Sequence, residues 1–167
     1  MTIRKAKPGD MNAILSVYEI AREYMRQSGN PDQWGTDKPK QELLEEDIRK
    51  GELFVGESEE GQIHFVFAFI LEEDPTYSYI ESGEWLSEEP YGTIRRIASD
   101  GTVSGVVQTA VNYCKNTISN IRMDTHEKNT TMQHVLEKLG FARCGIIYIS
   151  DGTPRIAYQL LLPDGEK

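Results

Sequence analysis

The sequence lacks almost everything that would point to a metal, a membrane or a nucleic acid. It has 167 residues with two cysteines, Cys114 and Cys144, and three histidines. Both cysteines sit in apolar patterns, which predicts small core residues and neither a disulfide nor a metal ligand. No His/Cys cluster has zinc spacing, so no metal site is expected. No apolar run is long enough to span a bilayer. The N-terminal MTIRKAKPGD has no apolar centre of a secretion signal, which predicts a chain that starts at Met1 and stays in the cytoplasm. Positive charge is scarce: 18 Lys and Arg against 27 Asp and Glu give a formal net charge of −9. A general nucleic-acid binder needs a basic face, and that class is excluded. The acidity suits a cationic substrate such as an amine, and equally suits plain solubility. Internal repeats, linkers and low-complexity segments are absent too, so one domain over residues 1–167 is expected.

What is present centres on YGTIRRIASDGTVSG, Tyr91 to Gly105, followed by VVQTAVNYCKN. Ile94, Ile97 and Ala98 carry an extended segment. Ser99-Asp100-Gly101-Thr102 then forces a turn, because Asp and Gly favour turns. Val103, Val107, Val111, Cys114 and Ile118 recur at helical spacing. Strand, tight polar turn and helix in that order leave free backbone N–H groups at the helix start, a place for an anion such as a phosphate.

The rest of the chain supplies the surroundings. Thr2 to Ala6 reads as a strand, with Asp10 as N-cap of a helix whose face is Met11, Ile14, Leu15, Tyr18, Ala21 and Met25. Pro39 opens a second helix through Arg49, with Leu43, Leu44 and Ile48 buried and Glu42, Glu45, Glu46 and Asp47 solvated. Leu53 to Glu57 and Gln62 to Glu72 form a hairpin, and FVFAFIL (Phe65 to Leu71) belongs in a sheet interior. Glu73 to Pro90 is a long irregular loop rich in aromatics. Ile121 to Thr125 is a strand and Thr130 to Leu139 a helix, with Thr130 and Gln133 as a capping box and Gly140 as a left-handed C-cap. Ala142 to Ser150 and Pro154 to Leu162 are two last strands around an Asp151-Gly152 turn. Ile156 to Leu162 reads as an edge strand that would pair two chains into a homodimer.

This order of elements, with NTTMQHVLEKLGF (Asn129 to Phe141) near the end, resembles the GNAT acetyltransferase superfamily over essentially the whole chain. Asn129, Glu137, Lys138, Leu139, Gly140 and Phe141 match that family's segment in place. The resemblance implies an α/β (α+β) fold: a mixed, mostly antiparallel sheet of six to seven strands with helices on both faces. It implies acetyl-CoA as cofactor and an amine of a small molecule or peptide as acceptor. By position, Ile97, Ala98 and Ser99 would pair with the pantetheine arm. Thr102, Val103, Ser104, Gly105 and Val106 would hold the pyrophosphate through backbone N–H groups, with Asn129 and Met132 also on the cofactor. The turn departs from the family's Q/R-x-x-G-x-G/A: aligned on Gly105, the basic position is Asp100 and the first glycine is Val103. Gly101 would then be the flexible point. The tyrosine that the family often uses as general acid is Leu136 here. The strand glutamate it often uses as base is absent, with Arg95 and Arg96 in that region.

The proton work therefore falls to other residues. Attack of an amine on a thioester needs a base, a donor for the developing oxyanion and a stabilised leaving thiolate. Asp124 and His126, two apart at a strand end, are the first candidates. The same two residues can instead cap the strand and bond the loop to Lys128. Tyr148 is a second candidate acid, or a packed strand residue. His64 reads as an edge or core residue. Trp34, Tyr77, Tyr79 and Trp85 either pin the irregular loops or line the acceptor pocket, Trp34 and Trp85 being placed at its wall by the resemblance. Glu81 and Glu84 can attract an ammonium group. Arg95 and Arg96 point to opposite faces, one toward a substrate carboxylate or Asp124 and the other structural. Three function classes follow: an N-acetyltransferase, a non-catalytic acyl-CoA-binding or interaction module of the same fold, or a structural or protein-binding domain that keeps the fold without the cofactor.

Overall fold

A computed structural model describes residues 1–35 and 37–163. Among the described residues the strands are β1 (Thr2–Lys5), β2 (Leu53–Glu57), β3 (Ile63–Ile70), β4 (Gly92–Ser99), β5 (Asn120–Thr125), β6 (Ala142–Tyr148) and β7 (Pro154–Leu161). The helices are α1 (Met11–Gln27), α2 (Gln41–Arg49), α3 (Val106–Cys114) and α4 (Thr130–Lys138). The strands form one mixed sheet in the order β1-β2-β3-β4-β5-β7-β6, mostly antiparallel, with β4 and β5 parallel at Gly92↔Ile121 and Thr93↔Arg122. No helix of the described residues is long and apolar enough to cross a membrane. The chain divides into two compact units, Met1–Phe69 with Arg95–Ala110, and Ile70–Ile94 with the described residues from Val111 onward.

In the first unit the hairpin of β2 and β3 forms because both strands carry apolar residues on both faces; Leu53 to Val55 and Phe65 to Phe69 are buried. The Phe54 and Phe67 rings stack across it at 5.5 Å. The ladder slips between Gly56 and Glu57: Gly56 pairs with Phe65 and Glu57 with Ile63, so His64 is the extra residue of a β-bulge. Leu71, expected inside the sheet, is 52% exposed beyond the end of β3. Helix α1 buries Ile14, Val17, Tyr18 and Ala21. Asp10 does not cap it. Its carboxylate accepts from the Lys7 N–H at 2.7 Å and from Arg4 at 2.8 and 3.0 Å, and Arg4 also reaches Glu57 at 2.8 Å.

Three expectations for α2 fail. The helix starts at Gln41, two residues after Pro39. Its buried face is Leu44 and Asp47, while Leu43 is 41% exposed. Asp47 was expected on the solvated face and is 4% exposed. The reason is Arg96 of β4, whose Nε and NH2 donate to the two Asp47 carboxylate oxygens at 3.0 and 3.1 Å, a bidentate pair. Arg96 is also left-handed, at φ 53°, a conformation that a side chain with a Cβ disfavours. Its carbonyl accepts from the Tyr18 hydroxyl at 2.5 Å, so side chain and backbone are fixed together.

In the second unit β7 lies between β5 and β6, paired antiparallel to both. It is therefore an inner strand, and the pairing between chains expected of Ile156 to Leu162 is not open to it. Helix α4 is capped by Asn129, whose side chain accepts from the Met132 N–H at 3.0 Å, and not by Thr130. Gln133 instead donates to the His126 and Glu127 carbonyls. The helix ends as expected: Gly140 is left-handed at φ 94°, and the Gly140 and Phe141 N–H groups donate to Glu137 and Leu136. In α3, Val103 and Ile118 fall outside the helix that was expected to contain them, because left-handed Gly105 delays its start and a turn follows Cys114. Cys114 and Cys144 are free and buried, and burial pushes the Cys114 thiol up to about 12.

Removing one partner of a buried pair strands the other charge. Asp47→Ala should lower unfolding free energy by roughly 3 kcal/mol. Glu42→Ala, on the exposed face of the same helix, should change it by less than about 0.5 kcal/mol. Urea unfolding of the two variants compares them directly.

Candidate active site

The turn between β4 and α3, in the first unit, is built on backbone conformation. Gly101 (φ 82°) and Gly105 (φ 68°) are left-handed, and a Cβ on either would meet nothing within 4 Å. These glycines set the chain's direction and are not there for close packing. Thr102, Ser104 and Gly105 are exposed, Val103 and Val106 half-buried. The first N–H groups of α3 have no carbonyl within the helix to bond. Before the turn, Ala98 is buried and Ile97 and Ser99 are half-buried.

Asp100, ahead of this helix start, is engaged within the turn and by His64. Oδ1 accepts from the Thr102 N–H at 3.0 Å and from the Thr102 hydroxyl at 2.6 Å. Oδ2 lies 2.8 Å from His64 Nδ1, and the Thr102 Oγ1 lies 2.9 Å from the same nitrogen. An ionised carboxylate only accepts, so His64 Nδ1 carries a proton. The Asp100 N–H also donates to the His64 carbonyl at 2.9 Å. Burial alone would raise the Asp100 carboxyl; the bonds from Thr102 and His64 outweigh it and hold the group below the ordinary carboxylate value. Elsewhere in this unit Trp34, half-buried, sets its ring edge-on to Tyr18 at 5.5 Å. Arg96 is the structural arginine of the pair; Arg95 is half-buried on β4.

The second unit holds the proton-transfer candidates. The Tyr77 hydroxyl donates to Asp124 Oδ2 at 2.6 Å. His126 lies one residue past β5, and its Nδ1 accepts from the Lys128 N–H at 3.0 Å. That bond places the ring's proton on Nε2, a neutral imidazole. It is also the loop bond that the sequence offered as the alternative to catalysis. Tyr148 and Tyr79 donate to the two oxygens of Glu81 at 2.9 and 3.2 Å, with their rings stacked at 6.5 Å. The Glu81 bond, followed by burial, pushes the Tyr148 phenol up. Glu81 exchanges two backbone bonds of 2.8 Å with Ile146, so this exposed cluster sits on fixed backbone.

Tyr77 and Trp85 were expected either to pin their loop or to line a pocket. They pin it. Tyr77 is 2% and Trp85 7% exposed, their rings are 5.0 Å apart, and the Trp85 Nε1–H donates to the Tyr77 carbonyl at 2.9 Å. Beneath them is Arg122, fully buried, its guanidinium 3.9 Å from the Trp85 ring centre and 4.0 Å from that of Tyr91. Arg122 donates to the Ser87 carbonyl, Asn120 to that of Glu89, and Gln159 both donates to Ser87 and accepts from the Leu86 N–H. Sequence reasoning read His64 only as an edge or core residue and did not single out Arg122 or Gln159, whose one available signal was a polar side chain inside an apolar strand. Among the described residues no cluster of His, Cys, Asp and Glu suits a metal.

No family model matches the sequence, and no curated protein matches it. Solved structures do. An acetyltransferase of the GNAT family from Streptococcus agalactiae is 32% identical, with a TM-score of 0.87, over 98% of this chain and 96% of that one. The chain belongs to the GNAT acetyltransferase family. A GNAT acetyltransferase from Listeria monocytogenes (21% identity, TM-score 0.71, 96% of this chain and 94% of that one) shares the fold. So does a ribosomal-protein-alanine N-acetyltransferase from Brucella melitensis (16%, 0.60, 97% and 100%). Acetyl transfer is thus the activity class, and the seven-stranded sheet with four helices is the GNAT fold. Leu136, which the resemblance set at the family's tyrosine position, is 0% exposed.

The lowered Asp100 carboxyl stabilises the folded state above its unfolded value, about pH 3.9. That stability is lost as the pH falls through the still lower folded value. Calorimetry should find wild type melting above Asp100→Asn at pH 6, with the gap closing toward pH 3.

Proposed function

We propose that this GNAT protein is a single-domain, acetyl-CoA-dependent N-acetyltransferase acting on a primary amine of a small molecule or peptide by direct attack on the thioester. The observation that carries the reading is the turn before α3: two left-handed glycines with open space around them, and an acid already bonded to His64 and Thr102. Such a turn fits a pyrophosphate held by the backbone N–H groups of Val103, Ser104, Gly105 and Val106; the Thr102 N–H, expected among them, donates to Asp100 instead, and Thr102 shapes the turn. Ile97, Ala98 and Ser99 would align the pantetheine arm, with Asn129 and Met132 as further cofactor contacts. Acetyl-CoA, when bound, supplies the acetyl group as an activated thioester.

The chain's residues then have separate duties. The N–H near Ala98 is the oxyanion donor. Asp124, oriented by Tyr77, accepts the amine proton directly or through water, and His126 is the second candidate base. Tyr148, kept neutral by its bond to Glu81, is the candidate acid. Glu81 attracts the ammonium form of the acceptor, while Trp34 and Arg95 contact its remainder. Tyr77 and Trp85 act from beneath, by fixing the loop that carries Glu81. The competing reading, an acyl-CoA-binding module without catalysis, is favoured by buried Leu136 at the usual acid position.

A thermal-shift titration decides first. Acetyl-CoA at a hundred times its dissociation constant should add about 2.7 kcal/mol of stability. No shift at millimolar ligand removes the cofactor reading. Gly105→Val, which forces a branched side chain into a left-handed position, should abolish the shift. With binding established, thiol release over an amine panel separates enzyme from binding module. Asp124→Ala should then lower kcat roughly 100-fold or more. A full-rate Asp124→Ala removes that residue from the chemistry.

A further inference from the structure

His64 has no part in the assignments above, yet the fold goes out of its way to aim it. It is the unpaired residue of the β2–β3 bulge, and bulges re-aim a side chain at the expense of ladder pairing. Its Nδ1 is directed to Asp100 Oδ2 at 2.8 Å and to Thr102 Oγ1 at 2.9 Å. Both side chains of the His64 and Asp100 pair are about 15% exposed, so water competes little for the bond. The pairing also resolves a conflict in the turn. The Asp100 carboxylate already takes one backbone N–H of the turn, that of Thr102, and an oxygen not held by His64 would be available to the N–H groups that follow, the donors an anion would use. Tied within one chain, such a carboxylate competes at high effective concentration and repels a phosphate as well.

We propose that His64 is a positioning residue for acetyl-CoA. It holds Asp100 against β3 and Thr102, and so keeps the carboxylate off the N–H groups at the start of α3. Asp100 keeps a use in this arrangement, since its bonds to Thr102 shape the turn around Gly101. The proposal rests on acetyl-CoA binding at this turn.

The test is a double-mutant cycle read by calorimetric titration of acetyl-CoA and by steady-state kinetics. His64→Ala should weaken acetyl-CoA binding about tenfold and raise its KM to match, with kcat nearly unchanged. Asp100→Asn keeps the acceptor for Thr102 and drops the charge, and should bind at least as tightly as wild type. In the double variant the rival carboxylate is gone, so affinity should return to within about threefold of wild type. A merely structural His64 would show no such rescue. Unchanged binding by His64→Ala, or a double variant as weak as His64→Ala, overturns the proposal while leaving the cofactor reading intact. Failure of wild type itself to bind acetyl-CoA overturns that reading, and this one with it. If His64→Ala does not fold, His64→Phe removes the donor, keeps the ring's bulk and carries the same expectations.

Discussion

A helix start offers N–H groups that its own chain cannot bond, and side chains nearby ordinarily satisfy them. The first unit is arranged so that the nearest acid does not. Asp100 is one residue ahead of left-handed Gly101, and its carboxylate is filled by Thr102 and His64. The His64 side chain reaches it from a bulged strand. Gly105 then turns the chain into α3 with no side chain over the opening. Further back in β4, Arg96 holds its own left-handed conformation through Asp47 and Tyr18. Each of these features is a local departure from regular structure, and each is compensated by a named bond. Strain of this kind persists only where the surroundings over-determine it.

The second unit solves a different problem. The stretch from Glu73 to Pro90 has little regular structure, so its backbone groups cannot satisfy one another in a ladder. Inner strands supply the partners. Gln159, 0% exposed on β7, uses both ends of its amide on Leu86 and Ser87, while Asn120 and Arg122 of β5 take the Glu89 and Ser87 carbonyls. Closeness of approach finishes the job. A Cβ on Gly83 would fall 1.9 Å from the Cys144 carbonyl oxygen, so the loop can cross β6 there only on glycine. A long loop can thus be as well fixed as a strand, and the exposed Tyr79, Glu81 and Tyr148 cluster inherits that rigidity.

How much of this was legible depended on the distance between partners in the chain. The α4 segment carries its own instructions within a dozen residues, and its extent and its Gly140 stop were readable. Its cap was misread by one residue, because Thr130 and Asn129 are both good caps and only backbone conformation separates them. Asp47 was unreadable: it sits in a run of acids, and its partner Arg96 is 49 residues away. His64 and Asp100 are 36 residues apart with no spacing to link them. The placing of β7 as an edge failed for a related reason. Alternation and turns reveal a strand, but only strand order reveals its neighbours, and β7 joins two strands that precede it.

A turn defined by backbone conformation also explains why the fold is so much plainer than the sequence. N–H donors and left-handed turns constrain conformation, and several side-chain patterns deliver the same conformation. Here an aspartate replaces a basic residue and Gly101 serves where the first glycine of the family pattern is Val103, yet the turn remains open. Sequence patterns weigh the side chains, and no family model matches this chain. Backbone comparison weighs what the side chains accomplish, and it aligns 98% of the chain at a TM-score of 0.87. The same argument predicts where variation must stop. Gly83 has no substitute that keeps the backbone, for lack of space, and at Gly105 a side chain would carry the cost of a left-handed φ. In the proposed cofactor site Val103 and Ser104 would contribute only an N–H, which any amino acid except proline would bring.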